Sequence, residues 1–90
     1  MSESNAYIIS YDLAEGGNYD ALFDHIRSYD KWAHVTESLW AIVSPKTAVE
    51  IRDEVKKYLT EGSRLIVVKS ANVAAWNNVI CSSDWLKKNI

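Results

Sequence analysis

The sequence has almost no cysteine: Cys81 is the only one in its 90 residues. A single cysteine cannot close an internal disulfide, and no cysteine–histidine spacing typical of a zinc site occurs. The composition therefore excludes a small secreted scaffold held together by disulfides. It favours a reducing compartment, so we expect a cytoplasmic protein.

Long hydrophobic runs and an excess of basic residues are missing as well. No stretch approaches the roughly 20 apolar residues that span a bilayer, and the first ten residues lack the basic region of a secretory signal, so we expect neither a membrane anchor nor export. Ten Lys and Arg against twelve Asp and Glu give a formal charge of −2, whereas domains that grip nucleic acid through its phosphates are normally basic. Any nucleic-acid partner would have to bind a local patch.

What the sequence does contain is enough apolar material for one small domain. Hydrophobic residues make up 48% of the chain, and 90 residues are fewer than a typical single domain, so residues 1–90 form one unit. A chain of this size buries only about 60–65% of the surface of its extended form. Its core is therefore small, and pairing with a second copy would add stability, which predicts a homodimer.

Hydrophobic periodicity predicts three strands, two helices and a less regular tail. Apolar residues alternate or form short runs in the predicted strands, and they recur at spacings of three and four in the predicted helices. The first predicted strand covers 7–11, and a helix capped by Asn18 follows over 19–29. A long strand over 32–43 comes next, and then a helix over 47–60 that begins with a Thr47/Glu50 capping box. The last predicted strand, over 64–69, is expected to be covered on both sides. Residues 73–76 are predicted as an edge strand or a turn, and residues 84–88 as a closing helical turn.

This order predicts an α+β fold, a ferredoxin-like βαββαβ sandwich with its helices on one face of a small antiparallel sheet. The opposite face has no predicted cover within the chain. Because side chains alternate along a strand, the residues expected on that open face are Ser10, Asp12, His34, Thr36, Ser38 and Trp40. An uncovered face of this kind must be wet, dimerised or used for binding.

Two segments carry a resemblance to a known family. They are YIISYDL over 7–13 and, after one helix, TESLWAI over 36–42. Both resemble the signature of the small CRISPR-associated endonuclease-like adaptation subunit, and more closely its free-standing bacterial and phage relatives, the SinR-like proteins. The likeness to those relatives extends to 51–53, 74–76 and 85–87, and so covers most of the chain.

The resemblance implies a ferredoxin-like homodimer in which Asp12, at the end of the first strand, meets its twin across the dimer axis. It further implies that the paired carboxylates hold Mg²⁺ or Mn²⁺ for phosphodiester cleavage, a chemistry that needs one or two carboxylates together with water and phosphate oxygens. The alternative for Asp12 is a carboxylate that caps the loop after a strand.

Four other residues are candidates around Asp12. His34 is a candidate for proton transfer, Ser38 for a phosphate contact, and Tyr11 and Trp40 for stacking on nucleobases. On one continuous strand His34 and Ser38 would lie about 13 Å apart, too far for a nucleophile–base pair. The alternatives are a histidine at a subunit contact, a hydroxyl on the sheet face, and aromatic side chains in the core or dimer interface.

Two functions follow from these observations. One is a dimeric protein associated with nucleic acid or nucleotides that acts as a metal-dependent endonuclease through Asp12. The other is a non-enzymatic homodimer that binds a nucleotide or acts as an adaptor; members of the resembled family often act as structural adaptors rather than catalysts. The acidic charge, and the absence of the basic run that usually follows the first strand in that family, favour the second function over binding of long nucleic acid.

Overall fold

The structure is a computed structural model that describes residues 4–14, 16 and 19–90. The predicted cap Asn18 lies outside the described residues. The elements that these residues form are β1 (Asn5–Asp12), α1 (Tyr19–Ile26), β2 (Lys31–Thr36), β3 (Leu39–Ser44), α2 (Ala48–Lys56), β4 (Arg64–Lys69) and α3 (Ser83–Asn89).

The strands form one sheet in the order β2-β3-β1-β4, with every neighbouring pair antiparallel. The predicted α+β class is confirmed. The single long strand over 32–43 is wrong, because the chain reverses at Glu37 and Ser38 and pairs β2 with β3 as a hairpin. A register shift between His34 and Thr36 accompanies this turn.

The main core lies between one face of the sheet and the helices α1 and α2. Both helices present a buried stripe, Leu22 and Ile26 from α1 and Ile51 and Val55 from α2. These side chains meet aromatic and aliphatic residues of the central strands, which include Tyr7, Ile9, Tyr11, Trp40 and Ile42. Thr47 caps α2 in the predicted capping box with Glu50.

The chain's own tail covers the part of the second sheet face that β2 and β3 form, so the prediction that this face has no cover within the chain is wrong. Leu86 of α3 is 3% exposed and packs in a cluster with Ala33, Val35 and Ala41. The predicted closing helical turn is confirmed as α3, with Ser82 accepting a hydrogen bond from the Asp84 N–H. A third helix therefore lies on the face opposite α1 and α2, where the tail closes a second, smaller cluster.

β4 is covered on one face only, contrary to the prediction of cover on both. Leu65 and Val67 pack against the main core, whereas Ile66 and Val68 are 58% and 46% exposed. Residues 73–76 form no strand, so they leave the outer edge of β4 without a neighbour within the described sheet.

None of the helices in the described part of the chain is both long and apolar enough to cross a bilayer.

Candidate functional site

Asp12 lies at the exposed end of β1. Its Oδ2 is 3.6 Å from Nη1 of Arg64, its cross-strand partner on β4, and the two side chains are 71% and 84% exposed. An ion pair this open to water contributes little to stability. Because Tyr11 points into the main core, alternation places Asp12 on the opposite face of the sheet.

The hairpin turn brings Ser38 to the same end of the sheet as Asp12. The Tyr11 N–H donates to the Ser38 carbonyl at 3.1 Å, which continues the ladder between β1 and β3. The expected separation of His34 and Ser38 along one strand is therefore wrong, since the two residues lie on either side of a turn. Ser38 and Asp12 are both exposed, as a contact with a phosphate would require.

His34 belongs to the other face of the sheet. Its ring stacks on Trp40 with centroids 4.1 Å apart and planes 6° apart, and its Nε2 lies 3.0 Å from the Glu37 carbonyl. The predicted open-face position of His34 beside Asp12 is wrong, because the ring lies on the helix side against Phe23 and Trp40, while the alternating Ala33 and Val35 face the tail. The structure thus joins Asp12 and Ser38 at one end of the sheet and places His34 across the sheet from Asp12.

Tyr11 and Trp40 are buried, at 3% and 0% exposure. The Trp40 Nε1–H donates to the Tyr11 hydroxyl at 3.1 Å, and Phe23 packs 5.1 Å from the indole. Burial raises the pKa of Tyr11. The alternative of aromatic side chains in the core is confirmed for both residues, which point towards α1 and α2, and the predicted open-face position of Trp40 is wrong. Neither ring offers a free face on which a base can stack.

The residues around Asp12 do not complete a metal site within one subunit. Among the described residues there is no group of three or more His, Cys, Asp or Glu side chains placed to hold a metal ion. Asp12 offers one carboxylate, and the guanidinium beside it competes with a cation. Asp12 alone could hold Mg²⁺ or Mn²⁺ only with water and substrate phosphate oxygens as the other ligands, and a second carboxylate would have to come from a partner.

A polar cluster that the sequence analysis missed lies at the other end of the sheet, between α1 and α2. The Tyr29 hydroxyl donates to Glu54 Oε1 at 2.8 Å and lies 3.0 Å from His25 Nε2, and Lys46 pairs with Glu54 Oε2. The His25 ring also stacks on Tyr58 at 4.7 Å. The cluster opens into a cleft of about 360 Å³.

Burial and hydrogen bonding shift the ionisation of this cluster. Burial lowers the pKa of His25, against an opposing effect of the nearby Glu54 carboxylate. Partial burial acts to raise the pKa of Glu54, but hydrogen bonds from Lys46 and Tyr29 outweigh it and the pKa is lowered. Burial and the Glu54 carboxylate together raise the pKa of Tyr29. At neutral pH the cluster therefore holds a neutral imidazole, an ionised carboxylate and a protonated phenol.

These shifts predict that the protein loses stability as the pH falls. His25 has a lower pKa folded than unfolded, so the unfolded state binds more protons and the free energy of unfolding falls as the pH drops from the unfolded value of about 6.5 through the folded one. The lowered pKa of Glu54 adds a further loss below its ordinary value of 4.5. Urea unfolding between pH 8 and pH 4 measures this loss. In H25Q the free energy of unfolding is expected to vary less with pH in the range where His25 titrates, while the loss due to Glu54 below pH 4.5 remains. If the free energy of unfolding of H25Q depended on pH as that of the wild type does, the assignment to His25 would be wrong.

An apolar groove of about 560 Å³ runs between the second sheet face and the tail. Its walls are mostly aliphatic, with Ile8 and Val68 from the sheet and Leu86 and Ile90 from α3, and Trp76 closes one side. The groove borders the exposed Val68, so it continues the apolar surface of β4.

Comparison of the chain with protein-family models, with curated proteins and with solved structures finds no match.

Proposed function

We propose that this chain is a homodimeric adaptor, a non-enzymatic module that presents its sheet to a partner. The observation that carries the proposal is the exposed apolar surface of β4, where Ile66 and Val68 are 58% and 46% exposed side by side on one face. Contiguous apolar side chains at the surface mark interaction sites in soluble proteins. A domain of 90 residues also gains stability when it buries such a surface against a second copy.

The fold supports the family resemblance noted in the sequence. The first six elements follow the order βαββαβ, and the antiparallel order β2-β3-β1-β4 is compatible with a ferredoxin-like sheet. In this proposal the chain is a ferredoxin-like domain related to the SinR-like relatives of the small CRISPR-associated adaptation subunit. In this proposal the protein acts in the cytoplasm.

The surface chemistry favours an adaptor over a reader of nucleic acid. The two aromatic side chains best placed by sequence to stack on bases, Tyr11 and Trp40, are buried. The formal charge of −2 gives no general attraction to phosphates. Protein–protein contact through apolar side chains needs neither feature.

Metal-dependent phosphodiester hydrolysis is a second candidate, favoured by the position of Asp12. This carboxylate lies on the same sheet face as Ile66, and both line a small cleft with Ser10 and Arg64. A dimer formed face to face through this region would bring two Asp12 carboxylates together. The pair would hold Mg²⁺ or Mn²⁺, and the ion would activate water and neutralise charge on the phosphate.

Light-scattering mass and cleavage assays on one preparation separate the two functions. For an adaptor we expect a mass near twice 10.2 kDa and no Mg²⁺- or Mn²⁺-dependent cleavage of short RNA or DNA above the level of D12A. The exposed Asp24 on α1 provides a matched control in D24A. Cleavage that disappears in D12A and persists in D24A would replace the adaptor function with the nuclease, and a monomer at every concentration would contradict both.

A further inference from the structure

Alternate residues of β4 direct their backbone N–H and C=O groups away from β1, towards the outer edge of the sheet. The Ser70 N–H donates to the Ala6 carbonyl at 2.8 Å, which makes Ala6 and Ser70 a hydrogen-bonded pair. Such pairs alternate along an antiparallel ladder, so the bonded residues of β4 are Arg64, Ile66 and Val68, opposite Asp12, Ser10 and Ile8. The backbone N–H and C=O groups of Leu65, Val67 and Lys69 therefore point away from β1.

The β1–β3 ladder confirms which residues of β4 bond to β1 and which point outward. The Tyr11 N–H donates to the carbonyl of Ser38, the turn residue just before β3, so Tyr11 does not bond to Leu65, its partner in register on β4. The three outward-pointing residues, Leu65, Val67 and Lys69, together present three N–H and three C=O groups along the outer edge of β4. Such a row is a template for an added strand.

The two edges of the sheet differ in how they are protected. β2 has a register shift between His34 and Thr36, and its Val35 carbonyl accepts a hydrogen bond from the Ile80 N–H of the tail at 2.9 Å. Bulges and covering segments are the usual devices that block edge pairing. β4 is regular and free of proline, and its two charges lie only at the ends, leaving the centre, residues 65–68, apolar.

We infer that two copies of this chain pair through β4, antiparallel, with Val67 on the two-fold axis. The inference rests on the proposed homodimer and places its contact at the backbone edge of β4, so that the exposed face of Ile66 and Val68 stays open to a further partner. Only this register uses all three outward-pointing residues, since Val67 faces its twin and Leu65 faces the partner's Lys69. Registers that pair Arg64 with Lys69 would set an outward residue against an inward one and bring like charges together.

The side chains are compatible with this register on both faces. On the exposed face Ile66 lies opposite the partner's Val68, and the two-fold axis repeats the pair, so four apolar side chains form one strip. On the helix side the twin Val67 residues join the two main cores. Arg64 lies opposite the partner's Ser70, so no cation faces another. Apolar cross-strand pairs of this kind stabilise a sheet.

This dimer also keeps the two Asp12 carboxylates apart. Asp12 is level with Arg64 on the neighbouring strand, and three strand spacings of about 4.8 Å separate the two β1 strands. Along the strands the two carboxylates are offset by six residues, about 20 Å. A separation of roughly 25 Å cannot be bridged by one metal ion. This pairing therefore agrees with an adaptor, and it departs from the dimer that the family resemblance implies, in which Asp12 meets its twin.

Cysteine cross-linking tests the register directly. In a C81S background, V67C places two thiols on a hydrogen-bonded pair about 5.5 Å apart between Cα atoms, within the range that a disulfide bridges. I66C is the matched control, because its twin lies diagonally at about 7–8 Å. We expect intermolecular disulfide to form at least tenfold faster in V67C than in I66C at equal concentration.

Amide exchange on the unmodified protein gives an independent readout. Protection of the Leu65, Val67 and Lys69 amides is expected to rise with protein concentration, while Ile66 and Val68 are protected throughout. If I66C cross-linked faster than V67C, the inferred register would be wrong. If the Leu65, Val67 and Lys69 amides became protected but V67C formed no disulfide, the β4 edge would pair with another strand, such as the partner's tail, and not with β4 of the second copy. A light-scattering dimer with neither signal would overturn β4 pairing and leave the adaptor in place, whereas a monomer would remove the adaptor itself.

Discussion

Replacing Trp40 with alanine is expected to lower the free energy of unfolding by about 3–5 kcal/mol, the usual cost of truncating a fully buried aromatic side chain. The indole is 0% exposed and lies between Phe23 at 5.1 Å and the stacked His34 ring. Its removal leaves a cavity and deprives the Tyr11 hydroxyl of the hydrogen bond from Nε1. For a small domain with a total stability of about 5–15 kcal/mol, this is a large share.

Trp32 offers a matched control for this prediction. It is 41% exposed on the same hairpin, 5.8 Å from Trp40, with the Arg27 guanidinium 5.7 Å above its ring. W32A is expected to cost about 1 kcal/mol or less, because an exposed cation–π contact contributes about 0.5–1 kcal/mol. Urea unfolding followed by far-UV circular dichroism measures both variants without relying on tryptophan fluorescence. Equal losses in the two variants would contradict the assignment of Trp40 to the core.

The main core was predictable because its signals are local. The spacing of Leu22 and Ile26 in α1, and of Ile51 and Val55 in α2, is the helical repeat itself. The Thr47 capping box also depends on residues within one turn. The structure confirms both helices, but α1 ends at Ile26 and α2 at Lys56, before the predicted ends at 29 and 60, so the period locates a helix better than it locates its end.

The hairpin could not be read from periodicity. Alternation of apolar and polar residues continues from Val35 through Leu39 to Ala41, so the pattern does not break where the chain reverses. The turn residues Glu37 and Ser38 include no glycine, proline, asparagine or aspartate, and serine is only a weak turn signal. The faces of His34 and Trp40 were assigned wrongly for a different reason: alternation separates two sets of side chains but does not say which set meets the helices.

The polar cluster was missed because its members are far apart in sequence. His25 and Tyr29 are four residues apart, a spacing that hints at one helix face, but Lys46 and Glu54 join them only through the packing of α1 against α2. The position of Asp12 at a strand end was predicted correctly from local sequence. Its surroundings depend on the tail and on β4, which no short-range pattern specifies.

Replacing Leu86 with alanine is expected to loosen the tail from the second sheet face, at a cost of about 2–3 kcal/mol. Leu86 is 3% exposed, and its contacts with Ala33, Val35 and Ala41 hold α3 against the sheet. Truncations of buried leucine cost about 2–5 kcal/mol, and the lower part of that range applies where the surroundings can collapse. The open groove beside Leu86 allows such collapse. Ile80, 61% exposed in the same tail, provides the control I80A, with an expected loss below about 0.5 kcal/mol.

Cys81 distinguishes release of the tail from unfolding of the whole domain. Its thiol packs beside the Leu86 cluster, and burial raises its pKa, so alkylation of the native protein is expected to be slow. If the tail detaches as a local unit, Cys81 of L86A will react with iodoacetamide faster than the unfolded population calculated from the free energy of unfolding predicts. Cys81 of I80A will react at the wild-type rate. If the tail and sheet unfold together, the increase in alkylation rate will equal the increase in the unfolded population. The first result would mean that the tail is free to leave its own sheet without loss of the main core, as an exchange between subunits requires.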